Sequence, residues 1–336
     1  MIEKLKSTYR KSGADTISRR KEVEAFADEV CKKGIKNIFF AGSGGSITTL
    51  TPFPRLIKRF SNLPAYAEEA AELMVSDYKQ LNKDSLVVIM AKTGTMVETV
   101  KLSEYCQERG IPTVGFVMID NTPVANNVTY KILIDEFSSP IRYITMYYFV
   151  FRLLYNLGDF PEYEKFADEL ANVPESICDM LDAYDDTAKK FVELYSKEPF
   201  QLWLYSGINF GEALKYSADI AEELFRQKTQ VMNTAEFFHG CLEIVDNDVS
   251  IVLLMSEDGS RTLDERAKRF LEKYAGEKLF VIDTKELHWK GISDEFRPLL
   301  SPIIINVCVE ELITPYMMEA TQKGFTTRRY YQIVEY

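Results

Sequence analysis

Short apolar runs of strand length alternate along this chain with amphipathic stretches of helical period. Residues 15–33 carry Val23, Phe26, Ala27 and Val30 at helical spacing and stop at Gly34, which predicts a helix. Residues 36–41 read as a short buried strand, and 47–60 as a helix. A short strand at 64–67 is followed by a helix opening at 68–72. Residues 85–91 are unbroken apolar after Ser85, the strongest strand signal in the chain. The helix after them carries Val97, Val100, Leu102 and Tyr105, and strands at 112–118 and 130–135 complete the series. Strands alternating with helices predict a parallel sheet with helices on both faces.

Residues 140–157 are apolar nearly all round, so this helix is expected to be buried between domains or subunits. Gly158 and Pro161 break the chain, and helices run on to about residue 197, one of them starting near Pro174. Then the pattern returns. Residues 200–205 match 38–43, 249–255 match the run at 86, 278–283 match 113–118, and 302–306 match 130–135. The offset is 162–165 residues for the first three pairs and about 172 for the last. The chain therefore reads as two copies of one α/β domain, each a three-layer αβα sandwich with a mostly parallel, flavodoxin-like sheet. The expected division is 1–158, 159–325 and a terminal tail, 326–336, packing near the active site.

Composition narrows the class. The 336 residues are 46% hydrophobic and 27% charged, ordinary for a globular protein. A net charge of −11 argues against nucleic acid as partner. The apolar runs are far short of a membrane span, the first residues lack a signal-peptide core, and the five cysteines form no Cys-x-x-Cys pair. Reduced thiols in a cytoplasm, no metal and no cofactor are the expectation.

Two turns carry candidate phosphate chemistry. The first strand runs into Gly42-Ser43-Gly44-Gly45-Ser46 and the strongest into Lys92-Thr93-Gly94-Thr95, each followed by a helix. Glycines let backbone amides face an anion and hydroxyls add donors, so two such turns at neighbouring strand ends can converge on one phosphate. In the second copy these turns become Ser206-Gly207 and the acidic Glu257-Asp258, so phosphate is expected on the first copy only. Catalysis is expected from a pair in the second copy. His239, one of only two histidines, sits at a strand–helix junction in Glu-Phe-Phe-His-Gly240, sixteen residues after Glu223 near the end of a helix that begins around Phe210. Carboxylate and imidazole are the usual proton carriers near neutral pH. His288 reads as a surface or interface histidine and Cys241 as a structural thiol.

These features resemble the sugar isomerase (SIS) domain family. The layout is similar to the isomerase half of glucosamine-6-phosphate synthase. It is closer to the fructosamine-6-phosphate deglycases of fructoselysine and fructose-aspartate type, through Arg-Arg-Tyr-Tyr331 and Val-Glu-Tyr336 at the terminus. The resemblance implies that Glu223 and His239 are the acid/base pair. It implies a homodimer or higher oligomer in which the neighbouring subunit supplies the histidine, placing the active site at the subunit interface. It also implies a phosphorylated sugar or ketosamine as ligand, released as glucose 6-phosphate and an amino acid. Departures from the synthase pattern occur at Gly45, Ala91 and Met96, leaving Ser43, Ser46, Lys92, Thr93 and Thr95 as phosphate donors with Gly44 and Gly94. The synthase lysine three residues before the glutamate is Ile220 here, which disfavours Schiff-base ring opening. Lys215 is a candidate for a substrate carboxylate, and Tyr330, Tyr331 and Tyr336 for the site wall. The alternatives are an aldose–ketose or aminosugar-phosphate isomerase or deaminase, or a non-catalytic sugar-phosphate-binding regulator.

Overall fold

A computed structural model describes residues 1–135, 137 and 139–335. The chain forms two compact units, one chiefly Glu3–Glu175 and the other chiefly Ser176–Trp289 with Asp294–Tyr336.

The first unit holds five parallel strands: β1 (Asn37–Gly42), β2 (Ala65–Glu69), β3 (Ser85–Ala91), β4 (Thr113–Val117) and β5 (Tyr130–Leu133). Their order is β2-β1-β3-β4-β5. β1, β3 and β4 are buried throughout, as central strands covered on both faces must be. Alternation sorts their side chains. Phe39, Ala41, Val87, Ile89 and Ala91 pack with Leu73, Leu102, Cys106 and Val124 on one face. On the other, Phe40 stacks on Phe53 and Phe116 meets Phe149 edge-on. The apolar helix Ser139–Asn156 finds its cover inside this unit. Tyr147 and Phe151 pack on Phe53, Phe160 and Phe166, with ring centroids 4.7–5.9 Å apart. Aromatic rings at such distances add to simple area burial.

Two helices occupy the start, Ile2–Ser18 and Arg20–Lys33, rather than one over 15–33. The second ends at Gly34 with φ +74°, a left-handed cap at the glycine expected to stop the helix. The expected helix over 47–60 is split into Gly45–Leu50 and Pro52–Phe60, since Pro52 has no N–H to continue the ladder.

The second unit repeats the plan with β6 (Phe200–Tyr205), β7 (Lys228–Asn233), β8 (Ser250–Met255) and β9 (Leu279–Asp283), in the order β7-β6-β8-β9. Trp203 stacks on Tyr216 at 4.1 Å on one face, while Leu202, Leu204, Leu253 and Met255 pack with Phe237 and Leu271 on the other. A fifth strand at 302–306 does not form. Ser301–Asn306 is helical and runs on through Val307–Ile313 to Thr314–Thr321. Among the described residues Arg297–Thr321 is the one stretch long and apolar enough to cross a membrane. Its apolar window is 78% buried inside the protein, as a core helix is.

Candidate active site

The two glycine turns of the first unit leave neighbouring strands at the same sheet edge. β1 and β3 pair in register, Ala41 opposite Ile89, so the turns start about 5 Å apart. In the order β2-β1-β3-β4-β5, chain direction across the sheet reverses between β1 and β3, where open α/β sheets form their ligand crevice. Ser43, Gly44, Gly45 and Ser46 form the first wall, with Gly44 at φ +56° turning the chain into the helix. The buried Ser43 Oγ lies close enough to Glu69 to lower that carboxyl's pKa, against a larger upward push from burial. Among the described residues it completes no hydrogen bond of ordinary geometry.

On the second wall Lys92, Thr93 and Thr95 are exposed or nearly so, and Thr95 Oγ1 donates to Thr93 Oγ1 at 2.9 Å. Gly94 is required there. Its φ is +65°, and a Cβ would lie 2.0 Å from Thr122 Oγ1.

The corresponding crevice of the second unit is filled by its own carboxylates. Asp264 accepts from Ser206 Oγ at 2.7 Å, Thr234 Oγ1 at 3.0 Å and the Ser256 N–H at 3.0 Å. Asp258 accepts from the Ser260 N–H at 2.8 Å. Burial pushes the Asp264 carboxyl up to about 6, against these hydrogen bonds. The donors an oxyanion would use are already taken by side-chain oxyanions.

Glu223 stands near the end of the long helix that starts at Phe210 and widens to a π-turn over Tyr216–Phe225. Wide turns of this kind recur at functional sites, where they re-aim side chains. Arg226 closes the helix in the left-handed region, φ +57°. The C-terminal segment docks against this end. Lys323 Nζ donates to the Phe225 carbonyl at 3.0 Å, and Arg226 Nη1 donates to the Thr327 carbonyl at 2.6 Å. Arg328 then reaches Glu223, Nη2 to Oε1 at 2.5 Å, with both side chains mostly buried. The Arg328 guanidinium also lies over the Phe325 and Tyr331 rings, at 5.0 and 5.1 Å, and its buried Nε has no partner among the described residues. A cleft of about 490 Å³ results. Ala218, Glu222, Glu223 and Arg226 line it from the helix, and Arg328, Arg329, Tyr330 and Tyr331 from the tail. Tyr336 lies outside the described residues.

One turn before Glu223, Asp219 is pushed up to about 6 by burial, with Lys215 opposing and Glu223 and Glu310 reinforcing. Lys215 is itself buried and paired with Glu310, and does not line the cleft. Nor does His239. It follows the short turn Glu236–Phe238, with its N–H on the Glu236 carbonyl at 2.9 Å. Phe237 anchors that turn: it is fully buried and packs edge-on against Phe270 at 5.8 Å. Sequence reasoning missed Arg226, Arg328 and Arg329. The one signal for Arg328 and Arg329 was their place in the Arg-Arg-Tyr-Tyr331 run on which the deglycase resemblance rests, and Arg226 gave none. No cluster of potential metal ligands exists among the described residues.

Comparison with known proteins places this architecture. Residues 33–157 match the SIS domain. The fructosamine deglycase of Bacillus subtilis is 28% identical over 96% of this chain and 99% of its own. The fructoselysine 6-phosphate deglycase of Escherichia coli K12 is 26% identical over 94% of this chain and 91% of its own. A Bacillus subtilis crystal structure provisionally assigned to the phosphosugar isomerases superposes with a TM-score of 0.90 at 28% identity, over 96% of this chain and all of that one. The C-terminal domain of the Francisella tularensis glucosamine-fructose-6-phosphate aminotransferase shares the fold, TM-score 0.76 at 15% identity, over 96% of this chain and 94% of that one.

Proposed function

We propose that this protein is a deglycase for 6-phosphorylated ketosamines, fructose 6-phosphates that carry an amino acid's nitrogen on C1. The observation that carries this reading is Glu223, a partly buried carboxylate held by Arg328 in a cleft walled by the tail. That tail is the segment on which the deglycase resemblance rests, and the similarity to named deglycases runs nearly end to end.

In this reading the turns at 43–46 and 92–95 hold the 6-phosphate. Glu223 removes a proton from C1 of the open-chain ketosamine, giving an enaminol, exchanges it with solvent, and delivers a proton to C2. Carbon 1 is thereby oxidised to an imine and carbon 2 reduced to a secondary alcohol, so no external oxidant or reductant is consumed. Water adds to the imine, the C1–N bond breaks, and glucose 6-phosphate and the free amino acid leave. Arg328 aims the Glu223 carboxylate through the bond between them. His239 moves the proton that opens the sugar ring. Because it is absent from the Glu223 cleft of its own chain, we assign it to the site of a neighbouring subunit in a homodimer.

The test is product analysis with ketosamine 6-phosphates, glucosamine 6-phosphate and fructose 6-phosphate in parallel. Equimolar glucose 6-phosphate and amino acid are expected from a ketosamine. Aldose–ketose interconversion or ammonia release without any amino acid would replace this reading with an isomerase or deaminase using the same pair. Binding of all three without turnover would leave a sugar-phosphate sensor.

A further inference from the structure

Resting on the deglycase reading, we infer that Arg226 and Arg329 receive the carboxylate of the substrate's amino acid, and that the cleft selects ketosamines linked through the α-nitrogen. Five charged side chains line the Glu223 cleft, three arginines and two glutamates. Arg328 is committed to Glu223, and Glu222 accepts from Thr229 Oγ1 at 2.9 Å. Arg226 spends one donor on the Thr327 carbonyl. Arg329 is exposed, with no ion pair among the described residues. The cleft thus carries surplus positive charge in a chain of net charge −11. An anion is the complement, and a guanidinium fork matches a carboxylate through two parallel hydrogen bonds.

Substrate geometry says which anion. Glu223 acts at C1, and the amino acid's nitrogen is bonded to C1. In an α-linked ketosamine the carboxylate carbon is three bonds from C1, about 4 Å away. Arg226 and Arg329 line the same cleft as Glu223, so a carboxylate this close to C1 falls within the cleft they share. In a ketosamine linked through the lysine ε-nitrogen the carboxylate lies four methylenes further off. A volume of about 490 Å³ accommodates an amino-acid side chain beyond the carboxylate.

The experiment compares three 6-phosphofructosyl amines: the alanine adduct, its decarboxylated counterpart made from ethylamine, and the lysine ε-adduct. Glucose 6-phosphate release is measured in wild type, Arg226→Gln, Arg329→Gln and Arg329→Lys. The expected kcat/KM for the alanine adduct exceeds that for the ethylamine adduct by about tenfold or more, the scale of a charge-assisted pair. Each Gln variant pulls that ratio toward one, chiefly through KM, and Arg329→Lys restores part of it. Arg329 is exposed, so its variants fold. A wild-type ratio near one, variants that lower all substrates equally, or preference for the ε-adduct would overturn the inference while leaving the deglycase reading intact. If none of the three amines is cleaved but a sugar phosphate is isomerised, the deglycase reading itself fails, and this inference with it.

Discussion

Glu223 and Arg328 are 105 positions apart and meet at 2.5 Å. If Glu223 is the base, their bond orients it and should matter to turnover more than to binding. Arg328→Gln is expected to lower kcat about 10- to 100-fold, the loss of one hydrogen bond between charged groups, with a smaller change in KM. Steady-state kinetics on wild type and variant reads this split between kcat and KM. Gly94→Ala should destabilise the protein by at least about 1 kcal/mol and abolish tight phosphosugar binding, because φ is +65° and the new methyl meets Thr122. Melting curves with and without ligand check both. Asp264 supplies a pH signature. Its folded pKa of about 6 lies above the ordinary value of 3.8, so the folded state binds the extra proton. Its contribution to stability is full below about 4 and is lost as pH rises through 6. The stability deficit of Asp264→Asn relative to wild type should therefore shrink between pH 4 and 6 in denaturant titrations. Of these residues, the glycine turns were legible as turns because a turn shows in consecutive letters, whereas Glu223 was singled out by its spacing from His239 and by the family resemblance. Arg328 was not, since a pairing across 105 residues leaves no local periodicity.

At the scale of elements, the parallel strands stood out because buried strands are short, apolar and bounded by turns, and the repeat of about 164 residues tied the two sets together. The run at 302–306 misled for the same reason. Three isoleucines buried on all sides look alike in a central strand and in a core helix. Asn306 decides for the helix: its Nδ2 donates to Glu212 at 2.9 Å and to Glu310 at 3.0 Å, fixing this segment against the Glu223 helix. The first helix was missed because Ile2–Ser18 buries Lys6, Ser12 and Gly13 beside Tyr9, a face with little apolar signature. The terminal segment is an element of the site with little regular structure. Truncation after Phe325 removes Arg328 with its tyrosine neighbours. It should cost at least as much activity as Arg328→Gln, while the melting temperature moves by only a few degrees because most of residues 329–335 are exposed. Paired activity and melting measurements separate that outcome from general unfolding.

At the scale of the whole molecule, one architecture is used twice, and the proposed reading divides the chemistry between the copies. The first copy keeps open glycine turns, the second fills the same crevice with Asp258 and Asp264 and carries Glu223 on its long helix. If His239 serves a neighbouring subunit, two inactive variants must complement. Mixing and exchanging subunits of Glu223→Gln with His239→Ala should restore about a quarter of wild-type activity: half the dimers become mixed, each with one intact site of two. No recovery after exchange, verified by tagged-subunit capture, would assign His239 to its own chain. The central claim is that Glu223 moves the C1 proton of a ketosamine 6-phosphate, and its most direct test is Glu223→Gln against wild type in deuterium oxide. Wild type is predicted to release amino acid together with glucose 6-phosphate labelled at C2, and Glu223→Gln to lose roughly 10² to 10⁴ of kcat/KM while still binding substrate. Turnover by Glu223→Gln within about threefold of wild type would contradict the account, because the missing base would then have done no chemistry.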